Sequence, residues 1–153
     1  MLRSGALDLA IFEVAEKKDG QEVLRRERTF WMTSRHRDLM SEDPIPVALF
    51  DRDCWWRAEA LASLRESGRA YRVVFSSQSV DGVAAAIESG VAIGLLGETT
   101  KSVNMRKLGP EDGFGAMPVS TLVMARGPGA DEDTVSTMER AIRETLNVKV
   151  EHA

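Results

Sequence analysis

The chain has one cysteine, two histidines and one tyrosine in 153 residues. With Cys54 alone, an internal disulfide and any multi-cysteine metal site are excluded, and a reducing compartment is expected. The two histidines, His36 in a polar loop and His152 beside the C-terminus, have no ligand spacing around them. No metal, no cofactor and no catalytic residue is expected. Long apolar runs are also missing: nothing approaches the ~20 residues of a membrane span, and the start lacks the apolar core of a signal peptide. A cytoplasmic location without a membrane partner is the expectation. There is no excess of positive charge either, since 20 Lys+Arg against 24 Asp+Glu leave a net charge of -4. A calculated pI near 5.3 gives these residues no electrostatic footprint for nucleic acid. No P-loop, GxGxxG, zinc spacing, paired-carboxylate motif, repeat or low-complexity segment is present.

What is present is an ordinary globular composition, 43% hydrophobic and 29% charged, enough for one domain or two small lobes. Its organising stretch is Val73–Gly97, VVFSSQSVDGVAAAIESGVAIGLLG. A β-rich run meets a Ser-Ser-Gln-Ser corner; Val80, Val83, Ala84 and Ile87 follow at helical spacing; Gly90 closes the helix and Val91–Leu96 is apolar again. The pattern predicts a β-α-β unit whose corner lies at the carboxyl edge of a sheet, where ligands of open α/β sheets bind. Ser76, Ser77 and Ser79 read either as plain helix caps or as part of an anion-holding corner with free N–H groups.

Along the chain, Leu7–Phe12 reads as a strand, residues 15–21 as a solvated turn, Val23–Arg28 as a segment of alternating charge, and Thr29–Thr33 as a strand returning along the first. Ser34–Asp43 reads as a polar loop, and Pro44–Pro46 as a break before a short buried strand, Val47–Phe50. A helix capped by Asp53 is predicted to run to about Ser67, with Trp56, Ala60, Leu61 and Leu64 as its apolar stripe and Gly68 as its stop. Further on come a polar loop at Glu98–Asn104 and short strands at Met105–Leu108 and Val119–Arg126. The last helix carries a stripe of Val135, Met138, Ile142 and Leu146, with acid at its start.

The second strand-corner-helix puts Asp51, Arg52, Asp53, Cys54, Trp55 and Arg57 at the same sheet edge as the serines. Cys54 as a nucleophile needs a histidine base, for which only His36 is at hand; a small, partly buried residue in the first helical turn is the simpler reading. Trp55 and Trp56 cannot both face one side, so one packs inward and the other covers a cleft. Arg35, Arg52 and Arg57 point to a small carboxylate ligand, or to structural ion pairs with the neighbouring aspartates.

Several pieces together resemble the effector-binding region of LysR-type transcriptional regulators: GALDLAIFE, FWMTSRHRDL followed by PIPVALF, CWWRAEALASLRESG, RAYRVVFSSQSVDGVAAAIESGVAIGLLG, and VSTLVMARG with the closing helix. The resemblance covers nearly the whole chain, although Ala92 and Leu96-Gly97 depart from the family's usual Gly and Leu-Pro. It implies an α/β fold of the type 2 periplasmic-binding-protein kind, three-layer αβα with a mixed, mostly parallel sheet. By the same likeness about 13–125 are a second subdomain with its crossovers, 1–12 and 126–153 remnants of the first, and the DNA-binding winged helix-turn-helix is absent. The implied role is non-enzymatic: binding a small effector between subdomains to modulate DNA binding. Asp51, Arg52, Asp53, Cys54, Trp55, Ser76, Ser77 and Ser79 would form one wall of the effector cleft. DNA would be reached only through the missing domain, and exposed apolar surface on Leu7–Phe12 and the last helix would favour a homo-oligomer. A solute-binding protein of the same fold and, further off, a Cys54-dependent enzyme are the alternatives.

Overall fold

The computed structural model describes residues 4–51 and 54–147. Along them run β1 (Leu9–Val14), β2 (Gln21–Glu27), β3 (Thr29–Ser34), β4 (Ile45–Phe50), α1 (Trp55–Glu66), β5 (Tyr71–Ser77), α2 (Val80–Glu88), β6 (Ile93–Gly97), β7 (Met105–Lys107), β8 (Ser120–Arg126) and α3 (Glu132–Thr145). They divide into a central unit, Glu27–Val119, and a flanking unit built from the residues on either side of it.

The central unit holds a five-stranded sheet in the order β5-β4-β6-β3-β7. β4 pairs parallel with both β5 and β6, while β3 pairs antiparallel with β6 and β7, so the sheet is mixed. The strand-helix-strand read from Val73–Gly97 is present, but its two strands are not neighbours: β4 lies between them. Composition explains why. IPVALF and IGLLG are apolar without alternation and every residue in them is buried, which only strands covered on both faces can use.

The two covering helices lie on opposite faces. Trp31 donates its indole N–H to Ser63 Oγ of α1 at 2.9 Å. Its neighbour Met32 points to the other face and sits opposite Gly94, whose missing Cβ would come within 2.8 Å of Ile87 Cδ1 of α2. Gly94 therefore lets α2 pack close to the sheet, and a larger residue there would push it away. Both helices end on a glycine in the left-handed region, Gly68 (φ 68) and Gly90 (φ 74), as their positions predict.

Three expectations for this unit change. β4 begins at Ile45, before Pro46, rather than after it. The loop 35–44 is not wholly polar in role, because Leu39 is fully buried in the core. The N-cap position of α1 belongs to Cys54, whose side chain makes no capping bond; the predicted cap, Asp53, lies outside the described residues, as does Arg52.

The flanking unit holds a three-stranded sheet, β1-β8-β2, with β1 antiparallel to β8 from Leu9 opposite Arg126 to Val14 opposite Thr121. This overturns the idea that Thr29–Thr33 returns along the first strand: that segment is β3 of the other sheet. Gln21–Glu27, which reads as charged chain, is the strand that joins β8 instead. Its charges hid it, because a sheet edge tolerates exposed Arg and Glu that no apolar pattern announces. At the end of β8, Gly127 donates its N–H to Asp8 O at 2.8 Å, and a Cβ there would sit 1.9 Å from Leu7 O.

α3 packs differently from its predicted stripe. Val135 and Glu139 are its buried residues, whereas Met138 is 51% and Leu146 36% exposed. Glu139 is tolerated because Arg126 grips it through two hydrogen bonds of 2.6 and 2.9 Å and Arg143 adds one of 3.2 Å. Arg126 also holds Glu132, and Arg143 holds Glu22 of β2 at 2.6 and 2.7 Å. The side-chain oxygen of Asp131 caps the helix through the Thr134 N–H at 2.9 Å.

Candidate functional site: three corners at one sheet edge

β4, β5 and β6 run parallel, so their carboxyl ends meet at one edge of the central sheet. The connection from β4 through α1 goes to β5 on one side; the one from β5 through α2 returns across β4 to β6. Strand order therefore reverses between β4 and β6, and a crevice opens where successive connections diverge. The chain leaves this edge at three corners: after Phe50, after Ser77 and after Gly97.

The first two corners are tied together. Asp51 donates its N–H to Ser77 O (3.0 Å), and Gln78 Nε2 donates to Asp51 Oδ2 (3.1 Å). Ser77 Oγ accepts the Ser79 N–H at 3.0 Å, and Ser79 Oγ, at the N-cap of α2, accepts the Gly82 N–H at 3.4 Å. A side chain at residue 82 would collide with that arrangement, since its Cβ would stand 2.6 Å from Ser77 Oγ. Ser76 and Ser79 are exposed and Ser77 half-buried. Two of the serines thus have structural work; they remain at the edge where the amino ends of α1 and α2 point.

At the first corner Cys54 N–H bonds Asp51 O (3.3 Å), and the half-buried Cys54 opens α1. Arg57 folds back, donating from Nη1 to Phe50 O at 2.9 Å. Trp56 is the inward tryptophan, 5.5 Å from the Phe50 ring. The Trp55 ring lies 5.2 Å from that of Trp56 in a tilted arrangement and is half-buried, and its indole nitrogen is shielded from solvent with no hydrogen-bond partner among the described residues.

The third corner did not stand out in the sequence. Glu98–Thr100 makes a single 3-10 turn, and Thr99 donates its N–H to Glu27 Oε1 at 2.6 Å. Glu98 bonds Lys107, which holds its carboxyl below the usual carboxylate range. Lys107 in turn lies 3.9 Å from the Phe30 ring centroid. Gln78 and Thr99 are polar residues in polar loops; strand pairing brings Gln78 to Asp51, and Thr99 to Glu27 at the third corner.

The structure separates other candidates from this edge. β3 runs antiparallel to β6, so the residues just after it lie at the opposite edge. Arg35 is one of them, its Nε bonded to Met105 O at 3.1 Å, and it cannot serve the corners. His36 is another, with Nε2 3.1 Å from Asn104 Oδ1, so among the described residues Cys54 has no histidine base within reach. His152 lies outside the described residues. Among the described residues, no cluster of three His, Cys, Asp or Glu is placed to hold a metal, and no helix is long and apolar enough to cross a membrane.

Residues 1–146 match the family model for the LysR substrate binding domain. The chain belongs to that family. It is similar to the HTH-type transcriptional regulator DgdR of Burkholderia cepacia, 32% identical over 98 residues, which is 64% of this chain and 33% of the regulator. It is also similar to the HTH-type transcriptional regulator PecT of Dickeya dadantii, 25% identical over 142 residues, 93% of this chain and 45% of the regulator. Among solved structures, full-length HypT from Salmonella typhimurium, a hypochlorite-specific LysR-type regulator, aligns with a TM-score of 0.74 at 14% identity, covering 97% of this chain and 55% of HypT. These relatives are regulators, not enzymes, and the fold is the type 2 periplasmic-binding-protein-like fold of LysR regulatory domains. The LysR chain described here spans a third to under half the length of the two curated regulators it matches.

Proposed function

We propose that this LysR domain is the effector-sensing portion of a transcriptional regulator, binding a small metabolite, with a carboxylate as the favoured chemistry. The observation that carries the reading is the joined pair of corners at the switch edge, Asp51 bonded to Gln78 beside Ser79, with the amino ends of α1 and α2 at that same edge. Asp51, Arg52, Asp53, Cys54, Trp55, Ser76, Ser77 and Ser79 are the proposed contact set, joined by Gln78 and Thr99. Two helix amino ends favour a negative group. A ligand that prefers one arrangement of the regulator over another would shift its population and thereby its grip on DNA. DNA contact on this reading is made by residues of the regulator outside this acidic stretch. Self-association is part of the reading: Leu7 (42%), Ile11 (43%) and Met138 (51%) leave apolar surface on the flanking unit. Sedimentation across a wide dilution series should show concentration-dependent species; a monomer throughout contradicts it.

The functional test is a titration of the chain with a panel of small mono- and dicarboxylates, followed by tryptophan fluorescence, since Trp55 opens α1. A saturable change with at least one acid, weakened by Gln78→Ala and Ser79→Ala together, is the expected result. Saturation that the double variant leaves unchanged would place the ligand elsewhere and refute the assignment.

A further inference from the structure

At the edge of the central sheet opposite the three corners there is a cavity of about 290 Å³, bordered by Thr33, Arg35, Arg37, Asp38 and Arg106 among others. The sheet itself builds it: Thr33 near the end of β3 stands directly across from Arg106 of β7, and the loop after β3 brings the other two arginines round. Three guanidinium groups therefore border one small, open space with Asp38, which accepts the Met40 N–H at 3.2 Å, while Glu42 and Asp112 pair with Arg37 and Arg106.

Each guanidinium is held in place by part of its hydrogen-bonding capacity. Arg106 is clamped by Asp112 through two bonds of 3.0 Å, leaving its Nε. Arg37 donates to Gly90 O (3.2 Å) and Glu42 (2.9 Å). Arg35 is fixed at Nε by Met105 O, 3.1 Å away, and among the described residues nothing accepts from its Nη1 and Nη2. A guanidinium oriented at one end with four N–H donors unused at the other is a preorganised fork for an oxyanion. The second observation is Thr33. It is 2% exposed, and among the described residues its Oγ1, itself shielded from solvent, has no hydrogen-bond partner, which is unusual for a buried hydroxyl.

We propose that this cavity is a second ligand site, independent of the corner site, that takes a small oxyanion of the phosphate class. Arg35, unpaired by any carboxylate among the described residues, supplies the fork and the charge, Arg106 supplies its Nε–H, and Thr33 supplies a hydroxyl donor by turning about χ1. Phosphate suits it better than a monocarboxylate because several donors border the space from different sides, and a tetrahedral dianion presents oxygens to all of them.

The test is an amide NMR titration of the chain with inorganic phosphate, ionic strength held constant with chloride. Saturable shifts at Thr33, Arg35, Arg37 and Arg106, absent with chloride alone, are expected. Arg35→Gln should weaken phosphate by about tenfold, the worth of one charge-assisted contact. Thr33→Val should weaken it by a smaller factor while leaving the ligand-free protein at least as stable, since it removes an unpaired buried hydroxyl. No saturable shift in these residues, or shifts that Arg35→Gln does not alter, would overturn the site. Perturbation centred on Asp51 and Ser79 instead would assign phosphate to the corners and equally refute the second site.

Discussion

The central and flanking units stabilise their helices by opposite means. In the central unit α1 and α2 sit on β4 and β6 through aliphatic and aromatic side chains, with Leu64 and Ile87 fully buried. In the flanking unit the buried surface of α3 is Val135 and a glutamate, and Arg126, Arg143, Glu22 and Glu132 supply the contacts. Dispersion and apolar burial are insensitive to pH and salt; charge-assisted bonds are not. One chain thus carries a unit whose helices rest on apolar burial and a second unit whose helix docking depends on its surroundings.

The largest effect should come from cutting the apolar core. Leu64→Ala is expected to cost roughly 2–5 kcal/mol in chemical denaturation, because a fully buried leucine leaves a cavity. A loss below 1 kcal/mol would mean that α1 is not seated as described. Next, Glu139→Gln keeps the volume but removes the charge that Arg126 and Arg143 share, and should cost roughly 1.5–3 kcal/mol of α3 protection in hydrogen exchange. The difference from the parent protein should shrink in high salt, whereas the Leu64→Ala deficit should not.

Acid sharpens the same contrast. Hydrogen bonding to Arg126 lowers the pKa of Glu139 and Glu132 from 4.5, and the Thr134 bond lowers that of Asp131 from 3.8. A carboxyl whose folded value lies below its unfolded one contributes fully above the unfolded value and loses that contribution as pH falls through the folded one. Exchange protection in α3 should therefore decline below about pH 4.5 while β4 and β6 stay protected. Equal loss in both would mean that α3 and the central sheet are held by the same forces. The smallest effect is expected from Ser79→Ala, which removes the N-cap of α2 and should cost about 1 kcal/mol or less, its bond being long at 3.4 Å.

What could be seen in the sequence follows the same division. Apolar runs such as IPVALF and IGLLG, the glycines at 68 and 90, and the serine corner carried their own signals, and the strands, helix stops and corner lie where those signals point. β2 and the face of α3 were opaque because their partners are charges: QEVLRRE has no apolar alternation, and Glu139 pairs with Arg126 across a turn that no helical spacing reports. The corners were half legible. Asp51 and Ser79 sit on strand-helix turns that can be recognised, but the Gln78 bridge depends on β4 pairing with β5 and the Thr99 turn on β3 pairing with β6, pairings that no local pattern encodes.

An amide shift map of the chain with the best-binding carboxylate of the panel shows directly where the effector sits. Shifts centred on Asp51, Cys54, Gln78, Ser79 and Thr99 are predicted, with those residues saturating together. Saturable shifts confined to other parts of the chain, with these five unmoved, would contradict the assignment of the switch edge as the effector wall.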